Sequence, residues 1–248
     1  AASWHGMLRT GGELRLERQA VGDHILLGGD NMDLALAYTL NEKLKQGGKT
    51  LDAWQLTGLT HACRVAKEHL FESDKAQKAP ISVAGRGSSL IGGTIKTELL
   101  REELEKVLVE GFFPRVTVEE APVQRARSGL AQVGLPYAQD AAVTRHLAAF
   151  LTRQAKSLGL ETGFARPTAV LFNGGVFKAA PLRARVMETL NAWLAAEKAP
   201  AARELPGVDR DLAVARGAAY YAWVKAGHGI RIRGGTARAY YVGVESAT

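Results

Sequence analysis

Two double glycines carry the first chemical suggestion. Gly28-Gly29 closes the apolar run "HILL", Gly174-Gly175 closes "TAVLFN", and each stands ahead of a helix pattern. Paired glycines let the backbone take positive φ angles and let another group come close. The bare N–H groups and the helix start behind them then offer a place for an anion. The plainer alternative at each junction is a tight strand-to-helix turn with no ligand. Neither fits G-x-x-x-x-G-K-[ST] or G-x-G-x-x-G. A third feature is "HACRVAKEHLFES", where Lys67 follows Cys63 by four residues on one helical face. A cation there could reach a ribose or phosphate, or simply be solvated. A fourth is Gly217, a mid-helix glycine that costs about 1 kcal/mol against alanine. Such a residue usually marks a helix pressed against backbone or ligand, and close helix–sheet packing is reason enough.

Other chemistries find no pattern. The six histidines are scattered, and His61, Cys63 and His69 have no metal-ligand spacing. No G-x-S-x-G or H-E-x-x-H occurs. Of Asp23, Asp30 and Asp33, two suit helix capping. We therefore assign no catalytic and no metal-ligating residue in this chain.

The 248 residues, 46% hydrophobic and 23% charged, suffice for one large soluble domain or two small ones. No apolar run approaches the roughly 18 residues needed to span a bilayer, and "AASWHGMLRTGG" is not a signal peptide. The single cysteine fits a reducing cytoplasm. The net charge of +7 would favour encounters with polyanions, yet the basic residues form no block. Nucleic acid is not the expected partner, and no membrane is. The start without methionine and the end at "YYVGVESAT" read as a piece of something longer.

The elements that must position the glycines alternate between strand and helix periods. "GELRLERQAV" alternates as a half-buried strand. Met32, Leu36, Leu40 and Leu44 make a helical stripe capped by Asp30 and stopped at "QGG". A second helix starts at Thr50 with the stripe Trp54, Leu59, Cys63, Ala66 and Leu70. "ISVAG" and "SLIGGTI" pair as strands around Gly85-Arg86-Gly87. Thr97 caps a helix with Leu100, Leu104 and Val107 inward and Gly111 as its stop. "PRVTVEE" to "AQVG" reads as a short strand or turn and then a helix. A further helix spans "YAQDAAVTRHLAAFLTRQAKSLG", with Asp140 near its start. "TAVLFNGG" reads as a strand buried on both faces. Pro181 opens a helix with the stripe Leu182, Val186, Leu190 and Trp193. The last helix is "DLAVARGAAYYAWVKAG", with small residues along one side, and "GIRIR" and "ARAYYVGV" end the chain as strands.

Taken in order, these segments resemble the DnaK-like seventy-kilodalton heat-shock chaperones. "GDHILLGGDNMDLAL" is similar to G-D-T-H-L-G-G-E-D-F-D, with one extra residue before the glycines. "HACRVAKEHLFES" resembles C-E-R-A-K-R-x-L-S, "AVLFNGGVFKAAPLRARV" resembles I-V-L-V-G-G-S-T-R-I-P-x-V, and "DLAVARGAAYYAWV" resembles D-E-A-V-A-Y-G-A-A-x-Q-A. "GGTARAYYVGVESA" lies where the family has its interdomain linker. The resemblance implies an α/β fold, the second lobe of an actin-like (ribonuclease H-like) ATPase domain. That lobe has a mixed sheet, flanking helices and an inserted α+β cap. Residues 1–29 and 114–228 would form the base, 30–113 the cap, and 229–248 the linker and start of a substrate-binding domain.

The resemblance further implies an ATP-dependent chaperone binding ATP or ADP with Mg²⁺, partnered by unfolded polypeptides and co-chaperones. The lobe itself is expected to be monomeric and inactive, because the phosphate loop and catalytic lysine belong to the other lobe. The implied adenosine contacts are Gly28, Gly29, Arg64, Lys67, Glu68, Phe71, Gly174, Gly175, Val176 and Lys178. Several depart from the family pattern. Arg64 replaces a glutamate, Glu68 a basic residue, Phe71 a serine, Val176 a serine and Lys178 the stacking arginine. A lysine has no planar face to stack. Segment 121–166 is longer than is usual. Rival readings are another actin-like ATPase, such as a sugar kinase, and a basic nucleic-acid-binding domain.

Overall fold

Helix α1 (Gly29–Gln46) forms because Met32, Leu36, Leu40 and Leu44 recur at helical spacing, and all four are buried. Its cap is Gly28 rather than Asp30, which lies in the first turn. Asn31 Oδ1 accepts the Gly28 N–H at 2.8 Å, holding the chain at its entry into the helix. The computed structural model describes residues 2–10, 13–85, 93–123, 139–157, 159–160, 163–207 and 209–232.

Helix α2 (Ala53–Glu72) begins at Asp52, not Thr50. Asp52 and Gln55 exchange hydrogen bonds of 2.8 and 3.1 Å, a reciprocal capping box that Thr50 cannot form at this register. Gln55, Leu59, Cys63, Ala66 and Leu70 are buried, whereas Trp54 is exposed. The reason is angular: Trp54 precedes Leu59 by five residues, about 140° around the helix.

Strand β3 (Lys78–Val83) alternates outward with inward residues and pairs antiparallel with β4 (Ile95–Leu100). A strand pair is therefore present near Ile81–Ile95, but its second strand starts at Ile95, the last residue of "SLIGGTI", and runs five residues beyond it. Thr97 is a strand residue opposite Ile81, not a helix cap. Arg86 and Gly87 of the expected turn and most of "SLIGGTI" lie outside the described residues. The chain then bends directly into α3 (Arg101–Leu104), where Glu103 Oε2 accepts the Leu100 N–H at 2.9 Å. A π-helical segment, Glu105–Glu110, continues it. Its wider turn buries Leu108 and Val109 in place of Val107. The Arg101 guanidinium donates to the carbonyls of Leu70, Ser73 and Ala76 at 2.6–2.8 Å, closing the C-terminal end of α2.

Helix α4 (Val143–Ser157) follows Asp140, whose carboxylate accepts the N–H groups of Ala142 and Val123. Residues 124–138, including the helix read toward "AQVG", are not described. Helix α5 (Ala180–Ala196) carries Pro181 in its first turn, and Leu182, Val186, Leu190 and Trp193 are buried as their spacing predicts. Strand β5 is only Ala169–Val170, paired parallel with β6 (Arg203–Glu204). Both residues of β5 are half-buried and Leu171 is exposed, so the expected fully buried strand does not form. A strand buried on both faces needs a wide sheet, and β5 has one two-residue partner.

The described residues hold three two-stranded sheets and six α-helices, and the mixed sheet expected of the base is not among them. The class is mixed α/β.

The chain divides into two compact units, Leu26–Asp211 and Ala1–Ile25 with Leu212–Thr248. In the larger unit one core joins α1, α2, β3, Leu99, Leu104, Leu108 and Phe113 to Phe172, Leu182 and Val186. Phe164 meets Trp193 edge to face at 6.3 Å, and the Trp193 indole donates to the Val116 carbonyl at 2.7 Å. The smaller unit contains the hairpin β1 (Ser3–Thr10) and β2 (Glu13–Val21), with a bulge between Trp4 and His5, and helix α6 (Ala213–Lys225). Strand β1 had no counterpart in the sequence reading. Among the described residues no atom lies within 4 Å of a Cβ placed on Gly217, so they do not supply the close packing expected of that glycine. Residues 229–232 are not a strand, and "ARAYYVGV" lies outside the described residues.

Candidate functional site

Gly28 and Gly29 open α1, but the run before them, residues 22–27, is irregular rather than a strand. Leu26 is 43% exposed, so "HILL" lacks the buried partner face a strand would need. Lys67 lies beneath this corner. A Cβ placed on Gly29 would come within 3.7 Å of Lys67 Nζ, which leaves room for a small side chain and does not by itself demand glycine. Lys67 Nζ pairs with Asp33 Oδ1 at 2.6 Å, with both side chains nearly buried. Burial pushes the Asp33 carboxyl above its ordinary range, and Lys67 draws it partly back. The adjoining Cys63 thiol is pushed up to about 12, by burial first and then by the Asp33 charge.

Arg64 and Glu68 lie one turn apart on the exposed side of α2 and pair at 3.3 Å. Phe71 is half-buried and packs against the core. Gly174 has φ of +93°, in the left-handed region that favours glycine, and it starts the 3-10 turn Gly175–Lys178. Among the described residues no atom lies within 4 Å of a Cβ placed on either Gly174 or Gly175, so this stretch of backbone is open to them. Val176 and Phe177 turn toward the core, and Phe177 packs on Phe172 at 4.8 Å. Arg183 Nη1 donates to the carbonyls of Phe177 and Lys178 at 2.6 and 2.9 Å, holding the turn from its backbone side.

Lys178 Nζ pairs with Asp211 at 2.5 Å. That hydrogen bond raises its pKa, and the charges of Glu68 and Glu72 raise it further. These last two belong to the end of α2. The α1 start thus meets Lys67, and the acidic residues at the end of α2 act by charge on Lys178 of the second glycine loop. What they give is an open backbone loop that carries Lys178, with the Arg64–Glu68 pair on the exposed side of α2. Such an arrangement can take hydroxyl groups and a weakly held anion.

Two partners were not read from the sequence. Asp33 sits within the apolar stripe of α1, one residue after Met32, and a carboxylate so placed signals a buried counter-ion. Asp211 gave no such signal. Among the described residues no three His, Cys, Asp or Glu side chains gather as a metal-holding group, and no helix is long and apolar enough to cross a membrane. No family model matches the chain, and no curated protein matches it.

Proposed function

We propose that the chain is the second lobe of an actin-like ATPase domain in a DnaK-like chaperone, supplying the adenosine side of its nucleotide site. Residues 1–29 and 114–228 would be its base, 30–113 its cap and 229–248 its linker. The observation that carries this reading is that residues of α2 bear on both glycine motifs. Lys67 lies under Gly29, and the charges of Glu68 and Glu72 act on Lys178. In the full protein, nucleotide turnover would drive binding and release of unfolded polypeptides, regulated by co-chaperones, in the cytoplasm.

The residues suit a nucleoside better than its phosphates. Glu68 can accept ribose hydroxyls, and the open backbone at Gly174 and Gly175 admits a flat base. Arg64 and Lys178 supply positive charge, but each is already paired with a carboxylate. Lys67 is committed to Asp33, so it braces the corner rather than reaching out. Phe71 contributes through the core. Mg²⁺ would arrive on the nucleotide's phosphates and water.

The test is titration of ATP, ADP and adenosine into the 248-residue chain, followed by NMR. With the ligand covered on one face only, dissociation constants of about 100 µM to 1 mM are expected. Shifts should cluster at Glu68, Gly174, Gly175 and Lys178 and be similar for adenosine and ATP. No hydrolysis should accompany binding, since turnover needs several groups held around the γ-phosphate at once. Shifts centred on His146, or none at millimolar ligand, would remove this site from consideration.

A further inference from the structure

Arg185 is a cation almost wholly withdrawn from water, with 8% of its side chain exposed. It lies on the buried stripe of α5, one residue before Val186. Its guanidinium forks onto Glu110, with Nη2–Oε1 at 2.7 Å and Nη1–Oε2 at 3.2 Å. Nη1 also donates to the Phe113 carbonyl at 3.1 Å. One rigid, planar group therefore fixes both the end of the π-helical segment and the backbone three residues on. A surface ion pair would have no need of that third bond or of burial.

Fixing the Phe113 backbone fixes its ring, which is fully buried and meets Phe177 edge to face at 6.2 Å. Phe177 belongs to the turn that follows Gly174-Gly175. Among the described residues, a Cβ placed on either of those glycines would meet nothing within 4 Å. The turn is thus located by Phe177 in the core and by Arg183 on its carbonyls. A chain of contacts runs from Arg185 through Phe113 and Phe177 to the glycine loop.

We propose that Arg185 and Phe113 are positioning residues for the Gly174–Lys178 loop, setting its geometry before any ligand arrives. For nucleotide affinity the inference rests on the function proposed above; for the geometry of the loop it does not. Loss of either contact leaves the loop backbone free to settle elsewhere, and a ligand must then select the productive arrangement from several.

The experiment compares Phe113→Leu, Arg185→Met and Phe164→Leu in the 248-residue chain by amide NMR without ligand and by ATP titration. Phe164→Leu removes the edge-to-face pair with Trp193 in the same unit, and so controls for lost packing alone. Phe113→Leu and Arg185→Met should shift the Gly174, Gly175 and Lys178 amides and weaken ATP about tenfold. Phe164→Leu should leave both readouts as in the parent. Should Arg185→Met fail to fold, Glu110→Gln weakens the same fork from its exposed end and should give a smaller shift of the same resonances. Unmoved loop amides in Phe113→Leu, or equal movement in Phe164→Leu, would overturn the inference. If the parent binds no ATP while its loop amides respond as stated, the proposed function falls and the positioning role stands.

Discussion

Phe113→Ala is expected to lower the free energy of unfolding by about 4 kcal/mol. The ring is fully buried in the core of the larger unit and meets Phe177 edge to face. Its removal takes away the transfer free energy of a large aromatic side chain and leaves a cavity. The neighbours are poorly placed to fill that cavity. Arg185 holds the Phe113 carbonyl, and the helical segment ending there is anchored through Glu110. Urea unfolding followed by circular dichroism measures the loss, with the slope in denaturant unchanged if the unfolded state is unaffected. A fall of less than about 1.5 kcal/mol, the cost of a conservative core swap, would mean that the site collapses freely around the gap.

The second large effect lies at the buried ion pair. Lys67→Met should cost about 3 kcal/mol at pH 8, because it leaves the Asp33 carboxylate buried without its counter-ion. The double variant Asp33→Leu/Lys67→Met should recover most of that, since replacing both charges with apolar groups removes the stranded one. The pH dependence gives a sharper check. The native Asp33 carboxyl is already raised by burial, and Lys67 is what pulls it down. Without Lys67 it rises further. Between the ordinary carboxylate range and that raised value, the folded variant holds a proton that its unfolded chain has released. Its stability relative to the parent therefore improves as pH falls. Glu110, Glu120, Asp140 and Glu188 are all lowered by their partners and cost stability on acidification. They do so in both proteins and cancel in the difference. A deficit that stays constant from pH 8 to pH 5 would show that Asp33 is not the group left stranded.

The sequence spoke most clearly where one local rule acted alone. The stripes of α1 and α5 came directly from apolar spacing, and Pro181 marked the start of α5. Boundaries failed where two local signals competed. Thr50 and Asp52 both resemble caps, and only the reciprocal partner Gln55 decides between them. Thr97 resembles a cap too, but pairing with Ile81 holds it in a strand. "TAVLFN" has the composition of a central strand, yet composition cannot supply the neighbours that make a strand central. At the site, the glycine loops and Lys67 were legible from type and order. The partners that restrain them were not, because Asp33, Glu72 and Asp211 act across distances that the sequence does not display. The route from Arg185 to Phe177 is likewise a matter of packing, and no residue spacing encodes it.

Cys63 also gives the molecule an internal clock. It is the only cysteine in the chain, and it lies fully buried on α2 beside the Lys67–Asp33 pair. Burial pushes its thiol up to about 12, which holds it protonated in the folded molecule at pH 8. A thiol reagent must therefore wait for α2 to lift from α1 before it can react. Its rate of labelling counts those openings, and no tag or substitution is needed. A ligand that settles across the end of α2 and the glycine loop and binds only the closed form should lengthen the wait by the factor 1 + [L]/Kd. A single absorbance trace can thus report how firmly the core is shut.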